Sequence, residues 1–148
     1  MDKGEKTVVV GVTGGIAAYK ALDIVSRLKK KKIDVHVIMT KSACEFVTPL
    51  TFQTISQNVV SVDMFSEPKA WEIRHISLAK RADLLLVAPA TANVIGKVAG
   101  GIADDLLTTT IMATNSPVVF SPAMNTNMYT NPIVQANIDK LSKLGYNL

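Results

Sequence analysis

Strand-sized apolar runs alternate with helically spaced segments along almost the whole chain, and each run ends in a polar turn. Thr7 to Val12 is a nearly continuous β-branched run that breaks at Thr13-Gly14-Gly15, after which Ile16 to Lys30 carries helical spacing. Val35 to Met39 predicts a second strand ending at Thr40-Lys41-Ser42, followed by a helical turn over Ala43 to Val47 and a short helix after Pro49 that contains Phe52 and Ile55. Val59 to Val62 gives a short third strand, and Met64 to Trp71 a surface loop. Ile73, Ile76, Ala79 and Ala82 share one helical face before the apolar run Leu84 to Ala88, which is expected to break at Pro89. Helices over Asn93 to Ala99 and Asp104 to Ala113, a strand at Val118 to Phe120 and a closing helix over Pro132 to Leu144 with Gly145 at its C-cap complete the pattern. Strand after helix after strand predicts an α/β fold, a single-domain, doubly wound, Rossmann-like (flavodoxin-like) parallel sheet.

Composition agrees with that architecture. Of the 148 residues 48% are hydrophobic and only 5% aromatic, which favours a Val, Ile, Leu and Ala core between helices over a β-sandwich. The formal charge of +4 owes much to Lys29 to Lys32 at the end of the first helix, where the helix dipole favours cations. No basic stripe interleaved with aromatics points to nucleic acid. A single cysteine, Cys44, excludes an internal disulfide and a Cys-based zinc site, and no apolar run approaches the roughly 20 residues that span a bilayer. With no signal-peptide pattern at the N-terminus, a cytoplasmic setting is expected. Tyr146 to Leu148 begins one more strand, so the native protein is expected to continue past residue 148.

In an open parallel sheet, whatever follows the carboxyl end of a strand is delivered to the ligand crevice. Gly11, Gly14 and Gly15 fall at the first such turn, where missing side chains let backbone N–H groups approach an anion, although the spacing matches neither the dinucleotide fingerprint nor the Lys-bearing phosphate loop. Thr40 and Ser42 add hydroxyls at the second turn. Pro89-Ala90-Thr91-Ala92-Asn93 forms the third, with Thr91 or Asn93 serving equally well as a helix cap. The fourth, Ser121-Pro122-Ala123-Met124-Asn125-Thr126-Asn127-Met128, supplies carboxamides and thioethers, which suit a flat cofactor beside a polar substrate; a helix capped by Asn125 and followed by core Met is the plain alternative. Asp104 and Asp105 read as a helix cap, with Asp104 in the cap position, rather than a metal pair. His75 lies near the start of the 73–82 helix, where the dipole disfavours an imidazolium. On local physics alone a surface or interface histidine is the favoured reading. His36 and Cys44 carry no assigned chemistry.

Taken in order, Gly14-Gly15-Ile16-Ala17-Ala18-Tyr19-Lys20, His75, Pro89-Ala90-Thr91-Ala92-Asn93, Gly100-Gly101-Ile102-Ala103-Asp104-Asp105-Leu106-Leu107 and Pro122-Ala123-Met124-Asn125-Thr126-Asn127-Met128 resemble the homo-oligomeric flavin-containing cysteine decarboxylases. Within that family the likeness is greatest to the branch of coenzyme A biosynthesis that acts on phosphopantothenoylcysteine, often fused in bacteria to the ligase that makes this substrate. The resemblance implies bound FMN, its phosphate near Gly14, Gly15 and Ile16 and near Thr40 and Ser42, with further contacts from Thr91, Ala92, Asn93, Val94 and Ala123. It implies that His75 is catalytic, that Asn125 holds the substrate carboxylate, and that Met128 faces the substrate. The implied chemistry passes a hydride from the cysteine β-carbon to the flavin, giving a thioaldehyde into which decarboxylation pushes electrons to leave an enethiolate. Relatives hold the flavin between subunits of a trimer, and trimers assemble further into dodecamers. In the coenzyme A branch a cysteine in a substrate-covering segment completes the reductive half. That segment is expected after residue 148, so these residues are expected to perform the oxidative half alone. The same motifs fit a peptidyl-cysteine decarboxylase of lantibiotic maturation and, in a different class, a flavin-binding regulatory subunit of protein phosphatases; a prenyl-flavin synthase is disfavoured by the Asn-Met motif.

Overall fold

The computed structural model describes residues 5–62 and 68–148, giving the backbone alone for residues 68–72, 74 and 75. Its strands are β1 (Thr7–Val12), β2 (Asp34–Met39), β3 (Ser61–Val62), β4 (Leu84–Ala90) and β5 (Val118–Pro122). They form one parallel sheet in the order β3-β2-β1-β4-β5, the doubly wound order of Rossmann-like folds. The helices are α1 (Lys20–Lys30), α2 (Pro49–Ser56), α3 (Pro68–Arg81), α4 (Ala92–Ala99), α5 (Leu106–Ala113), α6 (Thr126–Thr130) and α7 (Pro132–Lys143), with 3-10 turns at Ile16–Tyr19 and Ser42–Glu45.

Both faces of the sheet are covered, which explains why β1 reads as an unbroken apolar run. Val8, Val10, Val12, Val35, Val37 and Met39 pack on one face with Ala21, Val25 and Phe52, from α1 and α2. Val9, Ile38, Leu85, Val87 and Phe120 pack on the other with Leu78, Ile95, Leu107, Ile111 and Leu141, from α3, α4, α5 and α7. Gly11 belongs to β1 itself rather than to the turn after it. A Cβ there would lie 2.4 Å from Leu107 Cδ1, so this glycine lets α5 approach the sheet.

Several boundaries differ from the sequence reading. Pro89 does not break the chain: β4 continues through a cis Ala88–Pro89 bond to Ala90, and proline is tolerated because the β4–β5 register shifts between Val87 and Ala90. The α3 helix starts at Pro68, so residues 68–71 are helical rather than loop, while 63–67 lie outside the described residues. Its buried face is Leu78, Ala79 and Ala82; Ile73 and Ile76 are 69% and 47% exposed and do not share it. The cap of α5 is Asp105, whose carboxylate accepts from Thr108 N (2.8 Å) while Thr108 Oγ1 accepts from Asp105 N (3.2 Å), not Asp104. Gly145 takes φ +99 just past α7, and Asn147 pairs in parallel with Val119, the start of a further strand beside β5. The lysine run ends α1 as expected, with Lys30, Lys31 and Lys32 exposed.

Among the described residues, two groups shift their protonation. Burial opposes charge on Asp34, but hydrogen bonds from Asn58 Nδ2 (3.0 Å) and His36 Nε2 (2.9 Å) outweigh it and hold the carboxyl below its ordinary value. Burial, helped by Glu45, pushes the Cys44 thiol up, so it is a poor nucleophile.

Candidate active site

The sheet order reverses at β1, whose two neighbours run to opposite edges, so the loops after β1 and β4 part and leave a crevice at their carboxyl ends. Thr13 ties these ends together. Its buried hydroxyl donates to Pro89 O (2.6 Å) and accepts from Thr91 N (3.2 Å), a bridge that fixes the first and third turns relative to one another. Ala123 N donates to Ala90 O (3.1 Å) and brings the fourth turn alongside.

At the second turn, contact is closer still. A Cβ on Gly14 would lie 2.3 Å from Ser42 Cβ and 2.8 Å from the Ser42 carbonyl carbon, so the loops after β1 and β2 touch backbone to backbone. Gly14→Ala is therefore expected to cost about 1–3 kcal/mol, as overpacking does, because no rotamer change moves a main-chain atom. Gly15→Ala is the control: its Cβ would meet Thr91 Cγ2 at an ordinary 3.7 Å, and the glycine's φ of −159 suits any residue. Urea unfolding of both variants checks this, and equal midpoints would refute the contact.

All four turns open on one cleft of about 1060 Å³. Among the described residues its lining includes every cofactor and substrate position inferred from sequence: Gly14, Gly15, Ile16, Thr40, Ser42, Thr91, Ala92, Asn93, Val94, Ala123, Asn125 and Met128. The volume accommodates a tricyclic ring with a small substrate beside it.

Side-chain donors from several turns line the cleft. Thr40 Oγ1 accepts from Ala43 N (3.1 Å) and Thr91 Oγ1 from Val94 N (3.3 Å), so each hydroxyl keeps its proton for a ligand. Lys20 and Lys41 line the cleft as well. Asn125 caps α6 by accepting from Met128 N (2.9 Å) through Oδ1, which turns Nδ2 into a donor with no acceptor among the described residues. The plain reading of this segment thus holds for the cap and fails for Met128. Met124 packs half-buried on the core, but Met128 is 44% exposed in the cleft.

His75 lies on α3, and its side chain falls outside the described residues. The helix places it well past the first turn, not near a helix start, so the dipole no longer explains a neutral ring. Asp104 and Asp105 hold no metal cluster among the described residues; Asp105 is committed to its cap and Asp104 pairs with Lys97 Nζ at 3.0 Å. Sequence reasoning missed Thr13 and Lys97. Thr13 was readable only as turn punctuation, whereas Lys97 stands one helical turn after Asn93, a spacing that places both on one face of α4.

Relatives are numerous. The chain is 53% identical over 141 residues to the coenzyme A biosynthesis bifunctional protein CoaBC of Bacillus subtilis (strain 168), covering 95% of this chain and 35% of that protein. It is 46% identical over 143 residues to the probable phosphopantothenoylcysteine decarboxylase of Streptococcus mutans serotype c, covering 95% of this chain and 80% of that one. Among solved structures, the FMN-dependent cysteine decarboxylase TvaF from thioviridamide biosynthesis superposes with a TM-score of 0.88 at 31% identity, over 97% of this chain and 89% of that one. The chain thus spans about a third of the length of the first of these relatives. Flavoprotein is the family whose pattern matches residues 1–148, and with the parallel sheet, the cleft and these identities it follows that the chain belongs to the Flavoprotein family.

Proposed function

We propose that this chain is an FMN-binding decarboxylase domain that acts on 4'-phosphopantothenoylcysteine in coenzyme A biosynthesis. The observation that carries the reading is the convergence of four strand-end turns on one cleft lined by hydroxyl and lysine donors and by a carboxamide donor that has no acceptor among the described residues. Identity of 46–53% to proteins named for this pathway supports that branch over the 31% to TvaF.

The residues divide the work. Backbone N–H groups at Gly14, Gly15 and Ile16, with the hydroxyls of Thr40 and Ser42, hold the cofactor phosphate. Thr91, Ala92, Asn93, Val94 and Ala123 flank the ring. FMN, when bound, supplies the two-electron acceptor that lets a cysteine carboxylate leave as CO2 without stranding a carbanion. Asn125 Nδ2 donates to the substrate carboxylate and Met128 packs along the substrate, so that the β-carbon is held in one orientation. His75 assists proton removal.

The cleft lining exposes Ile16 (81%), Tyr19 (57%) and Met128 (44%), apolar side chains suited to closure by a second copy, as in a trimer or dodecamer. A phosphopantothenate–cysteine ligase domain, as the bifunctional relatives carry, is the partner activity that this reading allows. We place the protein in the cytoplasm, since its lone thiol forms no internal disulfide; among the described residues no helix is long and apolar enough to cross a membrane.

The purified chain is expected to be yellow, to release FMN on denaturation, and to bleach when phosphopantothenoylcysteine is added without oxygen. A colourless chain that takes up no FMN overturns the reading. Bleaching by a peptide ending in cysteine, but not by phosphopantothenoylcysteine, transfers it to the peptidyl-cysteine decarboxylases; flavin that neither substrate reduces transfers it to the regulatory subunits.

A further inference from the structure

Residues 100–104 are all exposed, yet they join two buried ends: Val98 and Ala99 close α4, and Leu106 opens α5. Gly101 sits at φ +74, where Gly101 N donates to Val98 O (3.1 Å) and Ile102 N to Lys97 O (2.8 Å), which completes the C-terminus of α4. Beyond Ile102 the loop has little to hold it. Thr109 Oγ1 donates to Ala103 O at 3.4 Å, a marginal distance, and Lys97 Nζ donates to Asp104 Oδ1 at 3.0 Å. Lys97 therefore grips the loop through both its carbonyl and its ammonium group. Lys97 and Asp104 both line the cleft, and α4 is the helix that Thr91 caps, whose amide is fixed by Thr13.

We propose that Lys97 and Asp104 are a positioning pair that latches the loop Gly100 to Asp104 as one wall of the cleft, and so sets where cofactor and substrate seat. A wall that carries two glycines has no conformational preference of its own to keep it in place. The latch also has an electrostatic consequence. Pairing with Asp104 screens the Lys97 charge, so it draws an anion into the cleft less than an unpaired lysine would.

The inference rests on the flavin reading, and two measurements separate their failures. Hydrogen exchange on the ligand-free chain reports the latch directly: Lys97→Met and Asp104→Asn are expected to accelerate exchange at the Gly101 and Ile102 amides, with melting temperatures near wild type because an exposed pair contributes little to global stability. Anaerobic bleaching with FMN bound is expected to slow by about 10- to 100-fold in the same variants, as misplacement of a reacting group does, with the half-saturating substrate concentration little changed. Lys97→Arg and the exchanged pair Lys97→Asp with Asp104→Lys are expected to recover most of both signals. Unchanged exchange in the single variants overturns the latch whether or not FMN binds, and so does an exchanged pair no better than either single variant. Failure of the wild-type chain to take up FMN strikes the functional reading alone.

Discussion

Asn125→Asp is expected to melt at the wild-type temperature and keep its FMN, yet to bleach with a rate constant per unit substrate about 10²- to 10³-fold lower. The substitution separates two roles that one side chain performs. Through Oδ1, Asn125 caps α6 by accepting from Met128 N at 2.9 Å, and Asp caps a helix as well as Asn does. Through Nδ2 it presents a donor to the cleft, and Asp replaces that donor with a second oxygen. A substrate carboxylate then meets a like charge, a juxtaposition that costs several kcal/mol when desolvated and somewhat less in a cleft open to water. At about 1.4 kcal/mol per factor of ten, the expected loss follows. Asn125→Ala behaves differently, because it also removes the cap and is expected to lower stability by about 1 kcal/mol. Thermal melts with anaerobic stopped-flow reduction of both variants check the pair. Wild-type bleaching by Asn125→Asp would mean that the carboxamide does nothing beyond its cap.

How much of this was legible before the structure depended on how local each signal is. β1, β2 and β5 were readable because strands buried on both faces show uninterrupted apolar runs, and the four turns could be assigned to one crevice because a parallel sheet sends every strand's carboxyl end to the same edge. Pro89 misled because its usual effect is to stop a strand, and the local shift in the β4–β5 register that accommodates it is a property of two strands, not one. Asp105 rather than Asp104 carries the cap although no Glu or Gln stands three residues on to announce a capping box; Thr108 closes it instead. Ile73 and Ile76 fit an apolar periodicity but stay exposed while Leu78, Ala79 and Ala82 are buried, so spacing alone did not distinguish the buried positions of α3 from exposed ones. Thr13 was invisible in a stronger sense. Its bridge to Pro89 and Thr91 spans more than seventy residues of sequence and exists only because β1 pairs with β4.

The same distinction bears on His75, for which replacement by Asn is expected to leave the protein yellow and reduce its bleaching rate by about 10²- to 10⁴-fold, the range that a positioned acid or base contributes. Asn is close in size and keeps a polar group, so loss of rate without loss of colour separates proton transfer from cofactor binding. The argument from a helix start has gone, since α3 spans Pro68–Arg81 and the dipole acts only within the first and last turns. Whatever keeps this imidazole able to accept a proton must come from groups across the site, from the bound substrate or from a neighbouring copy. His36→Asn is the control. His36 Nε2 donates to Asp34, the first residue of β2 at the end of the strand away from the cleft, and its loss is expected to lower stability by leaving Asp34 with one fewer donor while bleaching per folded protein stays unchanged. Anaerobic reduction traces normalised to bound flavin decide the matter: if His75→Asn bleaches as fast as wild type, the residue is a surface histidine and the proton leaves by another route.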